Sequence, residues 1–135
     1  MVDIGTGSGL LAFGAREFGA AAGEVDAFDY DPKSVEVSEE NAARNGIDGI
    51  RFFEADILTW KPGRRYDVVV ANLYSGLLEK ALPGIRDVAG AELILSGILD
   101  DQWSELTAAA EAAGMRAGVM DADGEWMSGL FHRRA

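Results

Sequence analysis

Val2-Asp3-Ile4-Gly5-Thr6-Gly7-Ser8-Gly9 (VDIGTGSG, residues 2–9) opens the chain with an apolar strand that runs straight into a glycine turn. The residues that follow, Leu10 to Phe18, have helical spacing, so the first eighteen positions read as strand, turn and helix. That order places bare backbone at the carboxyl end of a strand, where α/β sheets bind their ligands. Glycine suits the position because it tolerates positive φ and carries no Cβ to hold a ligand off the main chain. A glycine turn alone also fits an ordinary tight turn, and the rest of the chain must supply its partners.

At 135 residues the chain fits one domain spanning residues 1–135, with enough length to bury a sizeable core. A hydrophobic content of 48% with 3 prolines is globular in character. No apolar run approaches the roughly 20 residues needed to cross a bilayer. The absence of cysteine excludes disulfides, thiolate metal sites and cysteine nucleophiles, and no basic-then-apolar leader precedes the first strand. These features predict a soluble, cytoplasmic protein with no membrane partner. With His132 as the single histidine, no histidine or cysteine cluster can hold zinc, and no metal is expected. A formal charge of -11 repels phosphate backbones, so tight nucleic-acid binding is not expected, whereas a cationic ligand or a basic protein would be drawn in. An acidic surface also serves simply to keep a protein in solution.

Strands and helices alternate along the chain. Glu24–Asp29 reads as a second strand, and Asp31-Pro32 starts a helix with an acidic N-cap that runs to Arg44 before Asn45-Gly46. Ile50–Glu54 forms a third strand, Lys61–Arg65 a polar connection, and Tyr66–Ala71 a fourth strand whose continuous valines suit burial on both faces. Helical spacing from Leu77 to Ala89 is interrupted by Pro83, which predicts a kink or a restart. Glu92–Leu95 is a fifth strand, followed by a helix on Trp103, Leu106 and Ala110 that stops at Gly114. Arg116–Asp121 and Glu125–Arg133 then form two strands joined through Asp123-Gly124, a hairpin signal. Five βα units closed by an antiparallel pair differ from the two equal halves of a dinucleotide dehydrogenase.

Residues that end parallel strands converge on one crevice, and here they are Asp3 to Gly9, Asp29, Asp56 and Asn72. Asp29, at the end of the second strand, can accept hydrogen bonds from both hydroxyls of a ribose; Asp31 fills the helix-capping role and leaves Asp29 free. Asp56 is placed to accept from an exocyclic amine while Ile57 offers an apolar surface to a base, although a turn acid would look the same. Asp3 is costly inside an apolar strand unless amides of the glycine turn or a ligand ammonium meet it. His132 reads as a solvent-facing or edge-strand residue, and Trp60, Trp103 and Trp126 as packing in the core or at its margin. No serine has a histidine in a plausible triad position.

Taken together, VDIGTGSG, the acid in AFDYDP, the aspartate in FEADIL, and the segments VVVANLYSGLL and AELILSGILDDQ resemble a class I S-adenosylmethionine-dependent methyltransferase. Within that superfamily the likeness is to the catalytic domain of the PrmA family of ribosomal protein methyltransferases. It implies an α/β, Rossmann-like, three-layer αβα sandwich on a seven-stranded, mostly parallel sheet of order 3-2-1-4-5-7-6 with strand 7 antiparallel. It also implies S-adenosylmethionine as cofactor, S-adenosylhomocysteine as product, and transfer to a protein amino group, a lysine or an N-terminal amine, of a basic partner such as a ribosomal protein. Carried over by position, Asp3, Gly5, Thr6, Gly7 and Gly9 surround the methionine part, Asp29 holds the ribose, and Asp56 and Ile57 the adenine, with Tyr30 a further cofactor-binding position. Asn72 faces the methyl group, and its side-chain oxygen and the Leu73 carbonyl accept from the incoming amine, with Tyr74 at the entrance.

The chain departs from the pattern in two places. Base- and glutamine-directed relatives carry Asn/Asp-Pro-Pro-aromatic after the fourth strand, where this chain has Asn72-Leu73-Tyr74-Ser75. Met1 already lies at the first strand, so the family's upstream helix, its glycine-, threonine- and histidine-containing segment and its substrate domain are expected to be lacking and the site more open. A small-molecule or RNA methyltransferase, a cofactor-binding fragment without activity, and a nicotinamide enzyme using Gly7-Ser8-Gly9-Leu10-Leu11-Ala12 remain as alternatives.

Overall fold

Val2 and Ile4 point to one face of the sheet and Asp3 to the other, because side chains alternate along a strand, and all three are buried. They form β1 (Val2–Ile4), an interior strand of a computed structural model that describes Met1–Ala135. The other elements are α1 (Leu10–Glu17), β2 (Val25–Asp29), α2 (Pro32–Arg44), β3 (Ile50–Glu54), β4 (Tyr66–Asn72), α3 (Ser75–Val88), β5 (Ala89–Leu99), α4 (Asp100–Ala112), β6 (Met115–Asp123) and β7 (Trp126–Arg133). The seven strands form one sheet in the order β3-β2-β1-β4-β5-β7-β6. β7 runs antiparallel to both its neighbours, and every other pairing is parallel.

Two apolar layers follow from the alternation. Val2, Ile4 and Phe28 join Leu78, Leu82 and Ile85 of α3 and Trp103, Leu106 and Ala110 of α4 in the main core. On the opposite face Ala12 of α1 packs with Val25 and Ala27 of β2 in a smaller cluster. The result is the αβα sandwich implied by the motifs. No helix is long and apolar enough to cross a membrane.

Several local expectations are corrected. The β3–β4 connection, residues 55–65, contains no helix, so four helices serve five parallel strands instead of five βα units. Its apolar residues do the covering: the Trp60 ring lies 4.5 Å from Phe28 and stacks at 5.9 Å on Tyr66. α3 does not restart at Pro83; one helix spans Ser75–Val88 with Pro83 inside it. Pro83 is exposed, so its ring lies on the solvent side of the helix while buried Leu82 and Ile85 anchor the other side. β5 is longer than Glu92–Leu95, extending from Ala89 to Leu99 through an irregularity after Leu95. His132 is half-buried on an interior strand, not an edge, and faces Glu92 of β5 with Nδ1 3.1 Å from Oε1. Trp60 and Trp103 pack inward as expected, whereas Trp126 is largely exposed near the hairpin tip.

Candidate functional site

β1 ends in a turn whose glycines at 5, 7 and 9 all have positive φ, and the turn hands the chain to α1 at Gly9. The amides of Gly5 and Thr6 both donate to the Phe28 carbonyl, which ties the turn to the end of β2. No amide of the turn therefore reaches Asp3. Its partner is the Thr6 hydroxyl, which donates to Oδ2 at 2.7 Å, while Oδ1 is buried without any partner. Burial, helped by the nearby negative charge of Asp29, pushes the Asp3 carboxyl up to about 6, against the opposing pull of the Thr6 hydroxyl and of the Ala12 amide at the start of α1. An orphaned, buried carboxylate oxygen beneath a glycine turn is a group a cationic ligand would satisfy. Gly7 shows the room available, since a Cβ there would meet nothing within 4 Å.

Asp29 is not free in the sense the sequence suggested. Its Oδ2 accepts from the Gly7 amide at 3.0 Å and its Oδ1 from the Asp31 amide at 3.0 Å, while Asp31 itself caps α2 through the Lys33 amide. A carboxylate has about four acceptor positions, so both oxygens keep capacity toward the cleft, now in a fixed orientation. Ile4, Gly5, Phe28, Asp29, Tyr30, Ala55, Ile57, Leu73 and Leu77 line one continuous cleft at the strand tips. Its apolar walls and single carboxylate suit a heterocycle joined to a diol. Tyr30 is mostly exposed at the rim, whereas Ile57 is buried in the wall. Asp56 is half-occupied: Oδ1 accepts from the Leu58 amide at 2.9 Å, closing the turn that presents Ile57, and Oδ2 has no hydrogen bond within the chain.

Asn72 ends β4 in register with Ser96 of β5 and is exposed. Neither its carboxamide nor the Leu73 carbonyl makes a hydrogen bond within the chain, so two acceptor oxygens stand open at one strand tip. Tyr74 is also exposed, immediately before α3 begins at Ser75.

One charged cluster was not anticipated. Asp26, buried on β2, accepts from Arg51 Nε at 2.9 Å, Arg51 Nη2 at 2.7 Å, Arg64 Nη2 at 2.7 Å and the Tyr66 hydroxyl at 2.6 Å. Burial alone would raise its pKa, but the hydrogen bonds from Arg51, Tyr66 and Arg64 overcome that and hold it at about 2. Its sequence signal is the one that marks Asp3, an acid inside an apolar strand. The cluster lies toward the amino ends of the strands, away from the tips that carry Asn72 and Asp29.

Comparison with known proteins follows the same geometry. Residues 1–134 match the family described as ribosomal protein L11 methyltransferase (PrmA). The chain is 38% identical over 129 residues to the ribosomal protein L11 methyltransferase of Thermus thermophilus, covering 94% of this chain and 49% of that protein. It is 33% identical over 138 residues to the same-named protein of Fusobacterium nucleatum, covering 99% of this chain and 44% of the relative. The crystal structure of ribosomal protein L11 methylase from Lactobacillus delbrueckii subsp. bulgaricus superposes with a TM-score of 0.91 at 29% identity, over 99% of this chain and 69% of that one. At 16% identity and a TM-score of 0.81, over 98% of this chain and 68% of that one, magnesium protoporphyrin IX methyltransferase from Synechocystis, solved with bound SAM, shares the fold. The chain spans just under half the length of the two curated relatives described above. With the match extending over nearly every residue, the chain belongs to the PrmA family of ribosomal protein L11 methyltransferases.

Proposed function

We propose that this chain transfers a methyl group from S-adenosylmethionine to an amino group of a ribosomal protein. The observation that carries the reading is the pair of acceptor oxygens, Asn72 Oδ1 and the Leu73 carbonyl, standing without partners beside the cleft lined by Gly5, Asp29 and Ile57. When bound, S-adenosylmethionine supplies an electrophilic methyl on a sulfonium whose sulfur leaves as a neutral thioether. Asp29 is positioned for the ribose hydroxyls, Asp56 and Ile57 for the adenine edge and face, and Asp3 and the glycine turn for the amino-acid end. Tyr30 closes the rim on the ribose side.

Alignment and a free lone pair are the chemical requirements of an in-line displacement at carbon. A lysine of ordinary pKa near 10.4 is protonated at neutral pH, which leaves its lone pair unavailable. Asn72 and Leu73 accept two N–H bonds of the neutral amine and so aim the remaining lone pair at the methyl. Desolvation in the cleft favours that neutral form. The nitrogen–carbon bond forms as the carbon–sulfur bond breaks, and the methylated ammonium then loses its proton to water. The basic character of a ribosomal protein complements a chain of formal charge -11.

Labelled S-adenosylmethionine incubated with this chain and ribosomal protein L11 tests the reading. Label is expected in the protein acceptor, with transfer reduced on the order of 100-fold by Asn72→Ala. Calorimetric titration should show saturable binding of S-adenosylhomocysteine and none of NAD; binding of NAD alone would sink the proposal.

A further inference from the structure

We infer that Gly97 is a positioning residue for the methyl acceptor, acting through Asn72, an inference that rests on the methyl-transfer reading above. β4 and β5 end side by side, with Ala71 opposite Leu95 and Asn72 opposite Ser96. Just beyond, β5 advances from Leu95 to Ile98 while its other neighbour, β7, advances only from Gly129 to Met127. The extra residue is a β-bulge at Ser96-Gly97, and Gly97 takes φ of +79° within it. Bulges bend a strand and re-aim the groups beside it.

Here the bulge brings the bare Cα of Gly97 against the acceptor site. A Cβ at Gly97 would overlap Asn72 Oδ1, sit 3.4 Å from Asn72 Cγ and lie 3.6 Å from the Leu73 carbonyl oxygen. Both oxygens assigned to the amine therefore flank one glycine. Any side chain there would turn the carboxamide away or fill the space between the two acceptors. The glycine meets two demands at once: its backbone adopts the left-handed conformation of the bulge, and its missing side chain leaves the Asn72 carboxamide in place.

The far end of the same segment is braced from the next helix. The buried Ser75 hydroxyl donates to Gln102 Oε1 at 2.9 Å, tying the first residue of α3 to the first turn of α4. Residues 72–75 thus lie against the bare Cα of Gly97 at Asn72 and are tied to Gln102 at Ser75. This gives a physical role to the AELILSGILDDQ segment, which supplies both contacts from β5 and α4.

The test is a double-mutant cycle on the 135-residue chain with Gly124→Ala as control, because Gly124 also has positive φ, +60°, but its Cβ would meet nothing within 4 Å. Gly97→Ala is expected to lower kcat for transfer to ribosomal protein L11 on the order of 100-fold, the scale of a misplaced reacting group, and to leave S-adenosylhomocysteine affinity unchanged by calorimetry. The Gly97→Ala/Asn72→Ala double variant should be no slower than Asn72→Ala alone. Gly97→Ala kinetics matching those of Gly124→Ala, or effects that multiply in the double variant, would overturn the inference. If the wild-type chain binds S-adenosylhomocysteine but transfers no methyl, the methyl-transfer reading fails, and the Asn72 side-chain amide resonances still report on Gly97. Those resonances should shift in Gly97→Ala and hold in Gly124→Ala; no shift in Gly97→Ala refutes the contact directly.

Discussion

Asp3 and Asp26 lie on neighbouring strands one register step apart, Asp3 opposite Ala27 and Asp26 opposite Val2, and are exposed by only 1% and 2%. Their chemistry is opposite. Asp26 faces the main core side toward the amino ends of the strands and is saturated by Arg51, Arg64 and Tyr66. Asp3 faces α1 toward the strand tips and has one hydroxyl partner and one orphaned oxygen. The hydrogen bonds from Arg51, Tyr66 and Arg64 hold the Asp26 carboxyl at about 2 in spite of its burial, whereas burial lifts Asp3 to about 6. The difference separates a part of the sheet in which polar groups satisfy one another from a part in which a buried carboxylate oxygen has no partner within the chain.

Removing Asp26 should have the largest effect. Asp26→Ala is expected to destabilise the fold by about 2–4 kcal/mol in urea unfolding, below the full cost of breaking a buried pair because both arginines reach solvent. The sign with pH is defined: the folded carboxyl titrates below its ordinary value, so its stabilisation is complete above about pH 4 and is lost as pH falls toward 2. Asp26→Ala should therefore flatten the acid limb of the stability curve; an unaltered limb would break the contrast.

Asp3→Asn should act in the other direction. A carboxyl raised to about 6 favours the folded state while protonated, and that contribution disappears as pH rises through 6. A shift of roughly two units corresponds to about 3 kcal/mol. The free Asp3→Asn chain should be more stable than wild type at pH 7 by up to that amount and no more stable near pH 4, as followed by thermal melts. Loss of stability at pH 7 would show that the orphaned oxygen is satisfied after all.

Asp29→Ala gives the smallest effect of the three, and it appears in binding. One charged hydrogen bond is worth about 1.5–3 kcal/mol, so S-adenosylhomocysteine affinity measured by calorimetry should fall by tens-fold. Unchanged affinity would remove Asp29 from the ribose site.

Most of the architecture was readable because strand and helix signals follow one another closely and in order. The positions of Asp29 and Asn72 at strand tips were readable for the same reason, since each ends a strand whose limits the pattern defines. What escaped depends on distance in the chain. Asp26 meets partners 25, 38 and 40 positions away, and no local pattern announces three such encounters. The missing β3–β4 helix was hidden because Trp60 can cover the sheet from an irregular segment as well as from a helix. Asp29 looked free once Asp31 had taken the cap, because a carboxylate can accept the Gly7 and Asp31 amides together without any change in sequence pattern.

Trp60 touches both regions of the comparison. Its ring packs on Phe28, which lines the cleft, and stacks on Tyr66, whose hydroxyl is bound to Asp26. The protein therefore contains its own optical probe between ligand cleft and charged cluster. With Trp103 and Trp126 replaced by phenylalanine, the emission of Trp60 should report cofactor titration from one side and acid disruption of Asp26 from the other, in a single cuvette and without a label.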